Sequence, residues 1–476
     1  MGRGYKIDTP FSRARLGRDK RSALNVGIVI FMDKLGFHPS WKTHTCQEVG
    51  GVTGPVGSTV RLAGWVHFIR DKGRLVFVHL RDSSGLCQLT AKEGVTPPAT
   101  LAQLKTLTVE SVVTVEGVVR SDERSHRGVE VQVTSFTTHS LATPKLPLDI
   151  NGKVPFDSDT EFRFRELSVR TPKVTAIMRV KAEVAHATRR FFHSNGFTEI
   201  FTPYILATAT EGGAAKFWVD YFGQQTTLAQ SCQFYKQAAV QTHERVFGII
   251  PSWRAEKSRT PKHVTEFHQI ENEIAFASLD EILAVQERLI QTVVQHVKSS
   301  CAAELEFLGR PELTVPSLPF RRLTFAQAKE VLESELAIVE LEEEDLSTAA
   351  ETALSHLFTE PFFITHFPTH LRGMYYETDP TDESVTHSVD LVAPEGIGEL
   401  SSGGQRVSSK DRLVDRILAA GLNPSAFEWY LRMFEYGFPP HAGYGLGFER
   451  LVRWICGLSH VREAVMFPRT PDLISP

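Results

Sequence analysis

The stretch that decides the fold reads FGIIPSWRAEKSRTPKHVTEFHQIENEIAF, from Phe247 to Phe276. Two strand-like runs flank a charged, proline-containing loop, the pattern of an antiparallel hairpin with a long connection. The connection carries Arg254, Glu256, Lys257, Arg259, Lys262 and His263. So many cations between two strands suit a polyphosphate, because guanidinium and ammonium groups pair with phosphate oxygens. An isolated R-x-E is more often a solvated hairpin tip, so the reading rests on what accompanies it.

Downstream, Gly443-Tyr444-Gly445-Leu446-Gly447-Phe448-Glu449-Arg450 follows Pro439-Pro440-His441. Alternating glycines let backbone approach a ligand closely and weaken a strand. Arg450 then opens an apolar-faced helix, where a cation could hold a phosphate. The spacing is not the G-x-G-x-x-G of a dinucleotide site. Asp390 and Glu399 precede a Ser401-Ser402-Gly403-Gly404-Gln405-Arg406 turn. Two carboxylates there can hold magnesium through oxygen, or be ordinary surface acids. His366 and His370 are four apart, but Pro368 between them argues against a helical metal pair, and both are read as non-ligands.

Upstream, Ile177, Val180, Val184, Ala187 and Phe191 recur at helical spacing. Asn195-Gly196 ends that helix, and a strand is expected over Phe197–Thr202, closed by Pro203. Asp280–Lys298 reads as a second amphipathic helix, and the acidic run Glu340–Asp345 as a solvated helix start. Residues 57–143 read as five short strands with a helical stretch near Leu101–Leu107 between the third and fourth. That matches a Greek-key barrel of the OB type, which binds single-stranded nucleic acid. The prolines at 144, 147, 155 and 172 mark residues 144–172 as a hinge before a second domain over 173–476.

Composition narrows the class. The chain has 476 residues, 42% hydrophobic, and net charge −4, which excludes disorder for most of it. No run of about 18 apolar residues exists, so no membrane-spanning helix is expected. Five scattered cysteines form no C-x-x-C pair, which fits a reducing compartment such as the cytoplasm. The charge balance does not announce a nucleic-acid partner. Residues 1–56 are a basic extension and lead-in. Its first 31 residues suit a start placed too early, a nucleic-acid arm or a transit peptide, the first being favoured.

Taken in order, the amphipathic helix and strand, the R-x-E hairpin and G-x-G-x-G-x-E-R resemble the three motifs of the class II aminoacyl-tRNA synthetases. The barrel and hinge resemble the subgroup serving aspartate, asparagine and lysine. Within it, ATATEGG (Ala207–Gly213), AQSCQFYKQ (Ala229–Gln237), RAEKSRTPKHVTEF (Arg254–Phe267), GELSSGGQR (Gly398–Arg406) and GYGLGFERL (Gly443–Leu451) look most like aspartyl-tRNA synthetases of the compact archaeal and eukaryotic type. AEKSRT also resembles asparaginyl enzymes.

The resemblance implies an α+β catalytic domain built on an antiparallel sheet with flanking helices, behind the OB barrel. It implies activation of L-aspartate by ATP and transfer to tRNA(Asp). Arg254 and Arg450 would be catalytic. ATP would be held by Arg254, Glu256, His263, Phe267, Glu399, Gly447 and Arg450. Magnesium would sit on Asp390, Glu399 and Ser402. Aspartate would meet Glu211, Gln233, Lys236, Glu271, Ser402 and Arg406, with Lys236 and Arg406 reading its side-chain carboxylate. His67, Phe77, Gln88 and Glu116 would take the anticodon. His67 stands where strict tRNA(Asp) enzymes of the archaeal type tend to have tryptophan, which implies that tRNA(Asn) is also charged. The helix Ala176–His193 would lie in a homodimer interface.

Three departures bear on the amino acid. Glu271 stands where aspartyl enzymes carry aspartate and asparaginyl enzymes glutamate. Ala214 replaces a usual threonine, and two extra residues separate Asp390 from Glu399. The alternatives are an asparagine-tRNA ligase, an asparagine synthetase paralogue and a catalytically silent tRNA-binding relative.

Overall fold

The computed structural model describes residues 40–50, 56–125, 127–207, 215–257, 260–336, 341–342 and 345–476. The basic start, Glu211, Ala214 and Arg259 lie outside the described residues. Among the described residues no helix is long and apolar enough to cross a membrane. The chain divides into two compact units, one ending at Leu146 and one running from Pro147 to Pro476.

In the first unit, strands β1 (Thr59–Asp71), β2 (Leu75–Asp82), β3 (Gly85–Lys92), β4 (Val112–Ser121) and β5 (Val129–Ser140) close a barrel in the order β1-β2-β3-β5-β4. Alternation drives it: Val60, Leu62 and Val66 of β1 are buried while Arg61 and Trp65 stay outside, because successive side chains leave a strand on opposite faces. The helix between β3 and β4 spans Pro98–Leu104 and buries Leu101 and Leu104. It starts earlier than the apolar pattern suggests because Pro98 pre-sets the first helical turn.

In the second unit, the sheet consists of β6 (Thr198–Glu199), β10 (Arg245–Trp253), β11 (Glu266–Ala275), β12 (Arg321–Thr324), β15 (Phe362–Thr365), β16 (Ser388–Ala393), β17 (Gly398–Gln405) and β18 (His441–Gly447). Between these in the chain lie β7 (Ile205–Leu206), β8 (Trp218–Tyr221) and β9 (Gln224–Leu228), which form a small separate sheet, and the pair β13 (Leu341–Glu342) and β14 (Asp345–Leu346). The large sheet runs β12-β15-β16-β17-β18-β11-β10-β6. Only its two edge pairs are parallel; the strands between are antiparallel.

Helices Pro172–Ser194, Leu279–Ser300 and Phe448–Cys456 pack on this sheet through one apolar core. The stripe of the first helix closes on Phe192 rather than Phe191: Phe192 is fully buried and stacks on Phe247, with ring centroids 4.6 Å apart. This helix spends eight residues on the chain's own core. A homodimer contact would therefore use its remaining face or its neighbours.

Three local expectations differ. The strand over Phe197–Thr202 shrinks to Thr198–Glu199, an edge strand that meets only Val246 and Phe247 before Pro203, which has no N–H to continue a ladder. The run Glu340–Asp345 is not a helix start where it is described: Leu341 and Glu342 pair with Leu346 and Asp345. The helix begins at Thr348, where the Ser347 hydroxyl accepts from Ala350 N–H. The segment read as a hinge carries helices Ser158–Arg163 and Arg165–Ser168. There the buried Arg165 guanidinium donates to the Met466 and Val465 carbonyls, at 2.8 and 2.9 Å, and pairs with Glu161. Those bonds tie the segment to the second unit.

Candidate active site

The hairpin β10–β11, together with β18 and β17, forms the floor of a cleft of about 380 Å³. Arg254, Glu256, His263, Phe267, Gln233, Glu271, Glu399, Ser402, Gly447 and Arg450 all line it. These residues span more than two hundred positions of sequence, so the sheet brings separate motifs to one place. Phe267, Gln269 and Glu271 reach the cleft from alternate positions of β11. That period-two pattern is the signal that could have found Gln269.

Arg254 leaves β10 with its backbone N–H bonded to Thr265, and its guanidinium lies 5.5 Å from the Phe267 ring centroid. Its buried Nε has no hydrogen-bond partner. Arg450 pairs with Glu399 at 3.3 Å. Burial raises the Glu399 carboxyl, but Arg450, Arg372 and Lys262 outweigh it and hold the group below its ordinary range. Burial and the Arg450 charge push His263 down, so it is neutral near pH 7. Glu449, a buried residue of the cleft wall, pairs with Lys181 at 2.8 Å and accepts from His268 N–H at 2.9 Å. Lys181 sits on the helix Pro172–Ser194, so this pair ties that helix to the cleft.

Three expected residues stand behind the wall rather than in it. Lys236 is buried and its ammonium meets Glu271 at 2.6 Å, Glu273 at 3.2 Å and the Tyr444 carbonyl at 3.3 Å. Three donors thus face three acceptors of the protein, and Lys236 does not line the cleft. Arg406 donates to Glu273 at 2.8 Å and to the Gly443 carbonyl at 2.8 Å, but its buried Nη1 has no partner. Asp390 Oδ2 accepts from Arg372 at 2.6 Å, and its buried Oδ1 has no partner. Burial raises its carboxyl to about 7.

Sequence patterns missed Arg372, Tyr375, Tyr376 and Glu273. Arg372 bridges Asp390 and the Ser402 hydroxyl, the latter at 3.3 Å, and stands 3.5 Å from the Phe367 ring centroid. No local periodicity marks it, because it reaches the cleft on a long excursion between β15 and β16. The glycines of β18 also act differently from expectation. A Cβ at Gly443 would lie 2.3 Å from a Glu273 carboxylate oxygen, and one at Gly445 3.0 Å from Glu271. Those two glycines make room for buried acids, and only Gly445 and Gly447 reach the cleft.

On the barrel, Phe77 and Gln88 sit between buried neighbours on β2 and β3, so their side chains face outward. Gln88 donates to Glu130 at 3.0 Å, and Glu116 pairs with Arg61 across β1 and β4. His67 is half-buried on β1.

The family profile described as "tRNA synthetases class II (D, K and N)" matches residues 157–471, and that of the OB-fold nucleic acid binding domain matches residues 60–138. The chain belongs to the class II tRNA synthetases of the D, K and N group. Asparagine–tRNA ligase of Pyrococcus horikoshii is 39% identical over 90% of this chain and 99% of that protein. Aspartate–tRNA(Asp/Asn) ligase of Methanopyrus kandleri is 42% identical over 88% of this chain and 96% of that protein. The crystal structure of the Pyrococcus horikoshii asparaginyl-tRNA synthetase with asparaginyl-adenylate aligns at TM-score 0.85 and 37% identity, covering 88% of this chain and 97% of that one. This class II synthetase is therefore an ATP- and magnesium-dependent aminoacyl-tRNA ligase. Its cleft fits the ion: the Glu399 carboxylate, the Ser402 hydroxyl and the unpartnered Asp390 Oδ1 are hard oxygen donors.

Proposed function

We propose that this synthetase activates asparagine and charges tRNA(Asn). The observation that carries the reading is the saturation of Lys236 by Glu271, Glu273 and the Tyr444 carbonyl. The buried set Lys236, Arg406, Glu271 and Glu273 is balanced as it stands, two cations against two acids. A neutral amide joins it without adding charge. The Arg406 Nη1–H suits the amide carbonyl, and its partner-free state supports a substrate contact there. The Pyrococcus horikoshii asparagine–tRNA ligase supports the same amino acid, whereas the Methanopyrus kandleri aspartate–tRNA(Asp/Asn) ligase supports the second reading below.

In the first step the amino-acid carboxylate oxygen attacks the α-phosphorus of ATP, a phosphorus–oxygen bond forms, and pyrophosphate leaves. No protein nucleophile is required, so positioning and charge neutralisation supply the rate. Arg254 takes the charge growing on the α-phosphate, and Phe267 lies under the adenine. Arg450 and His263 hold the outer phosphates. Gln233 and Glu271, the latter still paired with Lys236, face the amino acid from the wall of the cleft. Glu399 and Ser402, with Asp390 behind them, would hold magnesium, which would supply charge neutralisation. A terminal ribose hydroxyl of the tRNA then attacks the carbonyl carbon of the adenylate and AMP leaves. The outward barrel face around Phe77, Gln88, Glu116 and His67 takes the anticodon bases.

The second reading is aspartate, onto tRNA(Asp) and tRNA(Asn). The same Arg406 Nη1 favours it, since a carboxylate is the stronger acceptor. If Glu271 is engaged by the α-ammonium, Lys236 and Arg406 face Glu273 with one positive charge in excess. ATP–pyrophosphate exchange with each amino acid, followed by charging of purified tRNA(Asn) and tRNA(Asp), separates the two. Exchange with asparagine alone is expected; exchange with aspartate alone sinks the first reading, and silence with both points to a tRNA-binding relative.

We also propose a homodimer. Exposed Phe201, Trp218 and Phe276 support it. Light scattering of the purified chain tests it.

A further inference from the structure

Residues 366–387 leave β15, carry Arg372, Tyr375 and Tyr376 to the cleft, and return to β16. At the base of this excursion, His366, Asp379 and His387 offer one ligand atom each, all within 4.8 Å of one another. None of the three lines the cleft. We propose that they bind a first-row transition cation of the zinc type, which clamps the excursion that presents Arg372 and Tyr376.

The donor geometry carries the proposal. Asp379 Oδ2 lies 3.2 Å from His387 Nε2 and 3.9 Å from His366 Nε2. Ligands about 2.0–2.2 Å from a tetrahedral zinc stand roughly 3.3 Å apart, so a small inward movement closes the set. Asp379 Oδ1 is already occupied by the Thr381 N–H and hydroxyl and the Asp382 N–H. That leaves Oδ2 turned to the imidazoles.

His366 is held in a metal-ready tautomer. The Thr365 hydroxyl donates to the Leu323 carbonyl, at 3.3 Å, so at 2.9 Å it accepts from His366 Nδ1–H. The Nε2 lone pair then faces the Asp379 carboxylate, an arrangement that a cation between them satisfies. A second group fixing the ring through its other nitrogen is the usual support of a metal-bound histidine. His366 also sits at φ 58°, a conformation that side chains rarely adopt. The three side chains are partly exposed, which leaves a fourth position open to water. Two imidazoles and one carboxylate suit zinc better than magnesium, which prefers oxygen. The site is thus chemically distinct from the oxygen donors of the ATP cleft.

The test uses the full chain, stripped with chelator and dialysed against limiting zinc in excess magnesium. One zinc per chain is expected, and cobalt in its place should give the strong visible bands of low coordination. The H366N/H387Q chain, folded by circular dichroism, should lose that zinc and those bands. Uptake well below one equivalent, weak six-coordinate cobalt bands, or unchanged uptake by the double variant overturns the proposal. Should that variant not fold, T365V keeps all three ligands and removes the acceptor of His366 Nδ1. Zinc affinity about tenfold weaker supports the site, and unchanged affinity overturns it.

Discussion

Lys236 Nζ lies 2.6 Å from Glu271 Oε2; both side chains are almost fully buried, Glu271 in the cleft wall and Lys236 behind it. Burial disfavours the ammonium, but Glu271 and Glu273 outweigh it and keep it charged. Lys236→Met would strand two buried carboxylates against Arg406 alone. Removing one partner of a buried pair costs about 3–5 kcal/mol. Urea unfolding of K236M should show a loss of that size, and the amino-acid KM should rise because Glu271 loses its support. Unchanged stability would mean that the pair is not closed in solution.

Arg372→Lys tests the bridge between Asp390 and Ser402. A guanidinium donates in two directions from one plane and stacks on Phe367; an ammonium is a point charge that does neither. The variant leaves one of the two acceptors poorly met, at a cost of about 1–3 kcal/mol. Pyrophosphate exchange should fall roughly tenfold or more, since 1.4 kcal/mol is a factor of ten. Exchange at the wild-type rate would remove Arg372 from the machinery.

The sequence made the sheet legible because β10, β11 and β18 carry their own signals: a charged hairpin loop and three alternating glycines. It made the barrel legible because valines alternate on strands with one face solvated. It did not reveal that Gly443 faces Glu273, because spacing says nothing of which neighbour a strand will meet. Nor did it show that Lys236 is satisfied by the protein, since Glu271 and Glu273 lie far along the chain from it. Arg372 was invisible for the same reason: its role exists only once β16 and β17 pair and set Asp390 opposite Ser402.

Phe77→Ala separates recognition from folding in the barrel. Phe77 lies between buried Val76 and Val78 but faces outward, so its loss leaves no core cavity. Stacking of a base on an aromatic ring is worth about 1–3 kcal/mol by alanine substitution. tRNA affinity, read by filter binding at fixed salt, should fall about 5- to 150-fold, with the unfolding midpoint little moved. A folded F77A chain that binds tRNA as tightly as wild type would take Phe77 out of the anticodon face.

His441 gives a signed pH prediction. It is fully buried, its Nδ1–H donates to the Pro439 carbonyl at 2.8 Å, and its Nε2 has no hydrogen-bond partner. Burial lowers its pKa to about 4, and the nearby Arg406 and Lys236 add to the effect while Glu273 opposes it. In the unfolded chain a histidine titrates near 6.5. Between those values the unfolded chain holds a proton that the folded chain does not. Stability therefore rises with pH through this window and is lost as pH falls from about 6.5 toward 4. A gap of about 2.5 pH units corresponds to roughly 3 kcal/mol. His441→Gln cannot titrate, so the difference between its urea-unfolding free energy and that of wild type should change by about that amount across the window, in favour of the variant at the acid end. Comparing the two chains cancels the slope that the carboxylates contribute to both. Parallel stability curves for H441Q and wild type would show that this imidazole is not the group that senses acid.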